Sequence, residues 1–159
     1  MEIRRKDRQI TDEAQIDAVL RRCDCIRLAF ACAGAPYIVP MNFGFVHEAG
    51  GPRLFYLHCA RRGRKLDEMR RAPRVGFELD TGHGVITAPE ACGWAFRFQS
   101  VIGTGTLEEV TDPAGRRRGL QCLMAQYSGR ADWAFSEAEL QAAAILRLTV
   151  EELCCKQHE

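Results

Sequence analysis

The chain has 159 residues, 22 basic and 21 acidic side chains, and a formal net charge of +1. That length suits one domain, spanning residues 1–159, and a chain of this size folds without disulfide or metal staples. Its 47% apolar and 27% charged content excludes a disordered chain, a collagen-like repeat and a coiled coil, and the near-zero charge argues against a generic nucleic-acid binder.

Asp12, with Gln15 three residues on, reads as a capping box that opens a helix over residues 12–23. Ile16, Val19, Leu20 and Cys23 form its apolar stripe. Residues 25–32 alternate as a strand, and Ala33-Gly34-Ala35-Pro36 is a turn. Residues 37–46 are a second strand, placed at an edge or a bulge by Pro40. Gly50-Gly51-Pro52 turns the chain into a third strand over 53–59, completing an antiparallel meander. No Asp, Glu, Lys or Arg occurs in 28–46, but Pro36, Pro40, Gly34, Gly44 and Asn42 break that stretch, so it reads as two buried strands and no membrane helix.

A basic loop covers 60–65, and a short helix over 64–71 ends at Ala72-Pro73. Residues 74–80 are a fourth strand, 81–93 a loop that covers a site, and 94–110 a strand with a bulge or bend at Gly103 and Gly105. Asp112-Pro113 starts a helix carrying Leu120, Leu123, Met124 and Tyr127. A loop over 128–136, a helical turn at 137–142 and a last strand at 144–150 follow. The pattern is α+β dominated by β: about six short antiparallel strands in a small barrel with flanking helices.

Eight cysteines, at 23, 25, 32, 59, 92, 122, 154 and 155, fall below the density of a disulfide scaffold. The N-terminus has no apolar signal-peptide core, so the expected compartment is the cytoplasm with reduced thiols. No paired CxxC spacing exists, and Cys154, Cys155 and His158 are read as a thiol tail in preference to a metal site.

The strongest chemical feature is Leu57-His58-Cys59-Ala60-Arg61-Arg62-Gly63-Arg64-Lys65. Four bases lie within five positions, between a strand and a helix start whose free N–H groups favour an anion. Arg64 offers a planar fork of donors and Lys65 a point charge, a common pairing around phosphate. The same cluster also reads as a solvated basic turn, and GxxxxGK[ST] is absent. His58 is either a ligand contact or acid–base group, or a hydrogen-bonded structural histidine. Cys59 is either a thiol of lowered pKa or a small residue beside a cofactor. No nucleophile triad is identifiable by spacing. Trp94, Phe96 and Phe98 share a strand face, as an aromatic pocket or, preferentially, as core. Arg116-Arg117-Arg118 reads as a solvated helix face.

Taken in order, several segments resemble one family. They are Arg4-Arg5-Lys6-Asp7-Arg8, Pro36-Tyr37-Ile38-Val39-Pro40-Met41-Asn42-Phe43-Gly44, Phe55-Tyr56-Leu57-His58-Cys59-Ala60, Gly63-Arg64-Lys65, Pro73-Arg74-Val75 and Ser100-Val101-Ile102-Gly103-Thr104-Gly105. The chain is similar to the FMN-binding split-barrel superfamily typified by pyridoxamine 5′-phosphate oxidase, nearest its nitroimidazole-resistance branch. The resemblance implies a six-stranded antiparallel split β-barrel, with FMN at the interface of a homodimer. It implies that Arg64 and Lys65 hold the FMN phosphate, and that Val39, Pro40, Met41 and Asn42 run along the isoalloxazine ring. It places His58 and Cys59 beside ring and ribityl chain, and Gln99 and Ser100 where they reach the cofactor, often from the partner subunit. The substrate-phosphate arginine and histidine pattern of the oxidase proper has no match in Leu146-Arg147-Leu148 or the tail. The expected activity is therefore reduction of a small nitro-aromatic or quinone-like acceptor by FMN, with no protein nucleophile. The alternative is a non-catalytic module that stores or senses flavin (FMN or FAD) or haem. Neither reading involves nucleic acid or a membrane; a third is a phosphate- or nucleic-acid-binding domain using residues 61–65.

Overall fold

The computed structural model describes residues 4–159; the first three residues of the N-terminal stretch read for a signal peptide lie outside it. Eight strands and four α-helices are present among these residues. The strands are β1 (Gln9–Ile10), β2 (Ile26–Phe30), β3 (Tyr37–Met41), β4 (Gly44–His47), β5 (Arg53–Cys59), β6 (Arg74–Ile86), β7 (Ala95–Glu109) and β8 (Ala144–His158). The helices are α1 (Glu13–Arg22), α2 (Arg64–Arg71), α3 (Pro113–Ser128) and α4 (Glu137–Ala142).

All pairings are antiparallel, in the order β3-β2-β6-β7-β8-β5-β4, with β1 added to β8. The two ends of that order, β3 and β4, are joined in the chain by residues 42–43 alone. The sheet therefore has to curl until its edges approach, which makes it a split barrel. Its inner face carries the alternating apolar residues of each strand: Ile26, Leu28 and Phe30 on β2, Val75, Phe77 and Leu79 on β6. Phe55 is the hub, with Phe43, Phe45 and Phe77 rings at 5.5, 5.4 and 5.5 Å. α3 packs outside on β4, where a Cβ at Gly44 would collide with the Cys122 and Leu123 backbone. Glycine is what lets that helix lie directly on the strand.

Local signals explain the boundaries. Asp12 accepts the Gln15 N–H at 2.8 Å and starts α1, and Asp112 accepts the Gly115 N–H at 2.6 Å and starts α3. Pro40 sits on an edge strand, where its missing N–H costs no ladder bond. The β7–β8 register shifts between Thr104 and Gly105, at the expected bulge.

The structure corrects five expectations. The stretch 37–46 is two strands, because residues 42–43 cross the split. The first part of the loop at 81–93 is strand, since β6 continues to Ile86 and re-pairs with β7 beyond a shift between Thr81 and Gly84. β8 continues to His158, so the thiol tail lies in the middle of the sheet, with Cys154 opposite Ile102 and Cys155 opposite Val101. Trp94 and Phe96 are 54% and 50% exposed and are not core. Arg116 is buried, 4% exposed, its guanidinium donating to the carbonyls of Leu140, Ala143 and Val110. No helix among the described residues is long and apolar enough to cross a membrane.

Candidate functional site

Three chain segments converge on one cleft of about 190 Å³: the start of β3, the end of β5 and the start of α2. Tyr37, Cys59, Ala60 and residues 62–66 line it. α2 begins abruptly, because Gly63 takes φ 129°, a conformation closed to side-chain-bearing residues. Space around Gly63 is open, with no atom within 4 Å of where a Cβ would stand. Leu66 and Asp67 N–H groups bond back to the Gly63 carbonyl. The N–H groups of Arg64 and Lys65 have no such partner, as at any helix start.

The charges here are loosely held. The Arg64 guanidinium lies over the Tyr37 ring, 4.3 Å from its centroid, and its side chain is 60% exposed. Its one carboxylate neighbour, Glu68, stands 3.9 Å away and is bonded to Arg71. That Arg71 bond, helped by the Cys32 thiol, holds the Glu68 carboxyl below its ordinary range. Arg62 is exposed and Lys65 half-buried, and neither has an ion-pair partner among the described residues. Arg61 turns away to the Gln141 carbonyl at 3.1 Å. An anion entering this cleft meets three side-chain cations and a helix start.

Burial pushes the Cys59 thiol above its ordinary pKa, with Lys65 only partly opposing. The lowered-pKa reading of Cys59 is therefore corrected: desolvation outweighs the cation beside it. His58 is exposed at the end of β5 and makes no side-chain hydrogen bond among the described residues. That removes the hydrogen-bonded structural reading. Val39 is half-buried and Pro40 exposed on β3, Met41 turns its side chain into the core at 8% exposed, and Asn42 is exposed at the split. Beside Pro40 on β2, Arg27 donates to Glu78 at 2.9 Å and Asp80 at 2.7 Å.

Gln99 and Ser100 stand apart from this group. β7 is three strands from β3, about 14 Å across the sheet. They also point to opposite faces, as successive strand residues must. Gln99 accepts from Arg22 at 2.6 Å and donates to Gln157 at 3.0 Å. Among the described residues the buried Ser100 hydroxyl has no hydrogen-bond partner, and neither has the Thr104 hydroxyl. One protomer thus brings Arg64, Lys65 and Cys59 together but leaves Gln99 and Ser100 elsewhere. Reading from the sequence missed Tyr37 as the platform for Arg64 and missed the Arg27–Glu78–Asp80 network. The alternation of Arg27 with Leu28 was the available signal for an outward charge on β2. Among the described residues no three His, Cys, Asp or Glu side chains stand where they could hold a metal ion.

The family model of pyridoxamine 5′-phosphate oxidase matches residues 12–157. No curated protein matches the chain. Among solved structures, it resembles a candidate 5-nitroimidazole antibiotic resistance protein from Bacteroides thetaiotaomicron, with 23% identity, TM-score 0.80, and 94% of this chain and 86% of that one covered. It also resembles an FAD- and haem-binding protein from Mycobacterium smegmatis, at 23% identity and TM-score 0.82 over 96% and 74% of the two chains. An FAD-binding protein from Mesorhizobium loti is similar at 24% identity and TM-score 0.66 over 96% and 98%. At these identities the likeness is one of fold.

Proposed function

This chain belongs to the pyridoxamine 5′-phosphate oxidase family, and from that premise we propose that it is an FMN-dependent oxidoreductase. It is cytoplasmic, homodimeric and built as one domain over residues 1–159, and its acceptor is a small nitro-aromatic or quinone-like molecule. The observation that carries the reading is the cleft at the start of α2. Among the described residues Arg62 and Lys65 have no carboxylate partner, Arg64 has only the loose 3.9 Å pair with Glu68, and Gly63 leaves the approach open, which fits a phosphate monoester.

Arg64 and Lys65 hold that phosphate, with Arg62 at its rim. Tyr37 keeps the Arg64 guanidinium over its ring and so pre-orients it. His58 and Cys59 flank the ribityl chain, and Val39 to Asn42 border the isoalloxazine ring. The bound flavin supplies the hydride or electron chemistry, and the protein supplies position and charge. No side chain has to act as nucleophile.

The dimer reading rests on the outer face of the sheet. Ile38 and Ile102 lie on that face, at 62% and 40% exposed. The unpartnered hydroxyls of Ser100 and Thr104 flank Ile102 on the same side of β7. A second copy on this face covers the isoleucines, and its Ser100, on the same face, extends the cofactor site that one chain leaves incomplete; Gln99, on the opposite face, is committed to Arg22 and Gln157.

FMN titrated into the purified chain, followed by absorbance and fluorescence, is expected to give a saturable change at micromolar protein. No change would overturn the proposal. The exposed, unbonded His58 ring favours a second reading, a non-catalytic module that holds haem or flavin, FAD included. Cofactor that co-purifies and that neither NAD(P)H nor a reductase can reduce would select that module.

A further inference from the structure

β7 presents one row of side chains on the outside of the barrel. Val101 is fully buried on the core side, so Phe96, Phe98, Ser100, Ile102 and Thr104 stand on the other. Phe96 and its register partner Val85 on β6 are exposed, and so is Ile102. The His83 ring stacks on Phe96, 5.8 Å between centroids, and holds it in place. Between these apolar positions stands Ser100, 8% exposed, its hydroxyl without a hydrogen-bond partner among the described residues. α3 packs on β4, β5 and β8, whereas Phe96 and Ile102 have no such cover.

Opposite charges flank this row. Ser100 is in register with Asp80 on β6 and with Lys156 on β8, so the three lie side by side on the outer face. On the β6 flank one nitrogen, Arg27 Nη1, serves Glu78 at 2.9 Å and Asp80 at 2.7 Å, two carboxylates on one arginine. His83 adds a contact to Asp80 at 3.0 Å, and a second charge only when it is protonated. On the β8 flank Lys156 rests with Nζ 5.4 Å from the Phe98 ring centroid and has no carboxylate partner among the described residues. Lys156 lacks that partner whatever the state of His83.

We propose that two copies of this chain pack outer face to outer face about a two-fold axis that runs along β7, so that Lys156 of the partner subunit pairs with Asp80 and Glu78. A two-fold along a strand exchanges its flanks: the β8 side of one copy lies over the β6 side of the other at the same level. Ile102 then meets the partner's Ile102, and the Phe96–Val85 pair meets its own copy. A two-fold across the strands at Ser100 sets Lys156 upon the partner's Lys156 and Asp80 upon the partner's Asp80, and like charge on like opposes association. The inference rests on the homodimer reading and deepens it. It brings a partner cation within two strands of Pro40, about 10 Å across the sheet, beside the segment proposed to border the isoalloxazine ring.

The test is sedimentation velocity of the full chain at low salt, with FMN titrated separately. The parent chain is expected to be a dimer. Lys156→Glu is expected to weaken that dimer about a hundredfold, because the contact occurs twice and becomes repulsive, and to keep the parent's urea midpoint. Adding Asp80→Lys reverses both charges and is expected to bring the dimer back to within about threefold of the parent; Glu78→Lys takes its place if that variant does not fold. Full dimer affinity in Lys156→Glu overturns the axis along β7 and leaves the FMN reading standing. A folded double variant that stays monomeric overturns the pairing. Rescue by Glu152→Lys in place of Asp80→Lys also overturns the proposal, since it requires an axis across the strands at Ile102. A monomeric parent chain overturns the homodimer reading together with this one.

Discussion

Arg116 and Arg64 both stand near the start of a helix, yet the protein uses them oppositely. Arg116 is 4% exposed and held by three backbone carbonyls, from the α4 end and from Val110 before α3. Arg64 is 60% exposed and rests on an aromatic ring, its pair with Glu68 a loose 3.9 Å. The first ties α3 and α4 to the barrel; the second is kept in place without being neutralised. A buried cation committed to backbone carbonyls is structural, whereas an exposed one held only loosely is available to a ligand.

The largest expected effect is at the structural cation. Arg116→Ala leaves the Leu140 and Ala143 carbonyls buried and unpaired, and is expected to cost about 3–5 kcal/mol in urea unfolding. FMN affinity of the folded fraction should be unchanged, and a stability loss under about 1 kcal/mol would collapse the contrast. Next comes the open cluster. Arg64→Ala with Lys65→Ala is expected to weaken FMN about a hundredfold, riboflavin less than about threefold, and stability hardly at all. Equal losses for the two flavins would remove the phosphate role. Tyr37→Leu takes away the platform under Arg64, and a loss of about fivefold in FMN affinity is expected, in line with a cation–π contact.

A last prediction extends the contrast from cations to thiols. Burial pushes Cys23 up to about 12 and Cys122 and Cys155 to about 11, from an ordinary 9.0. The folded state holds these protons more tightly than the unfolded chain does. Their contribution is full below the unfolded value and is lost as pH rises through the folded ones. The urea midpoint should therefore fall between about pH 8 and about pH 10.5; a flat profile would show the thiols are not desolvated. Exposed Cys92 should alkylate before any of them.

Elements whose signal is local were legible in the sequence. Asp12, Asp112-Pro113 and the edge proline Pro40 each state their own geometry. The ends of β6 and β8 were not, because Gly82 and Gly84 read as loop and Glu151-Glu152 breaks the alternation. Both segments are strands because β7 runs between them and pairs with each. Arg116 was misread for the same reason: its partners are carbonyls 24 and 27 residues away. The phosphate cluster was legible because it is contiguous from Arg61 to Lys65, and Tyr37 was not, because only folding brings it there.

Residues 42–43 carry a consequence for solubility. A sheet ordinarily presents two unpaired edges, each a template for a neighbouring chain. Here the last residue of β3 and the first of β4 are separated by that link alone, so both edges open onto the same side of the molecule. Pro40 interrupts one, α3 lies against β4, and the Tyr127 hydroxyl fixes the link by accepting the Phe43 N–H at 3.1 Å while donating to the Asp24 carbonyl at 2.9 Å. The hazard of edge-to-edge aggregation is concentrated at one place, and a single helix and a single proline guard it.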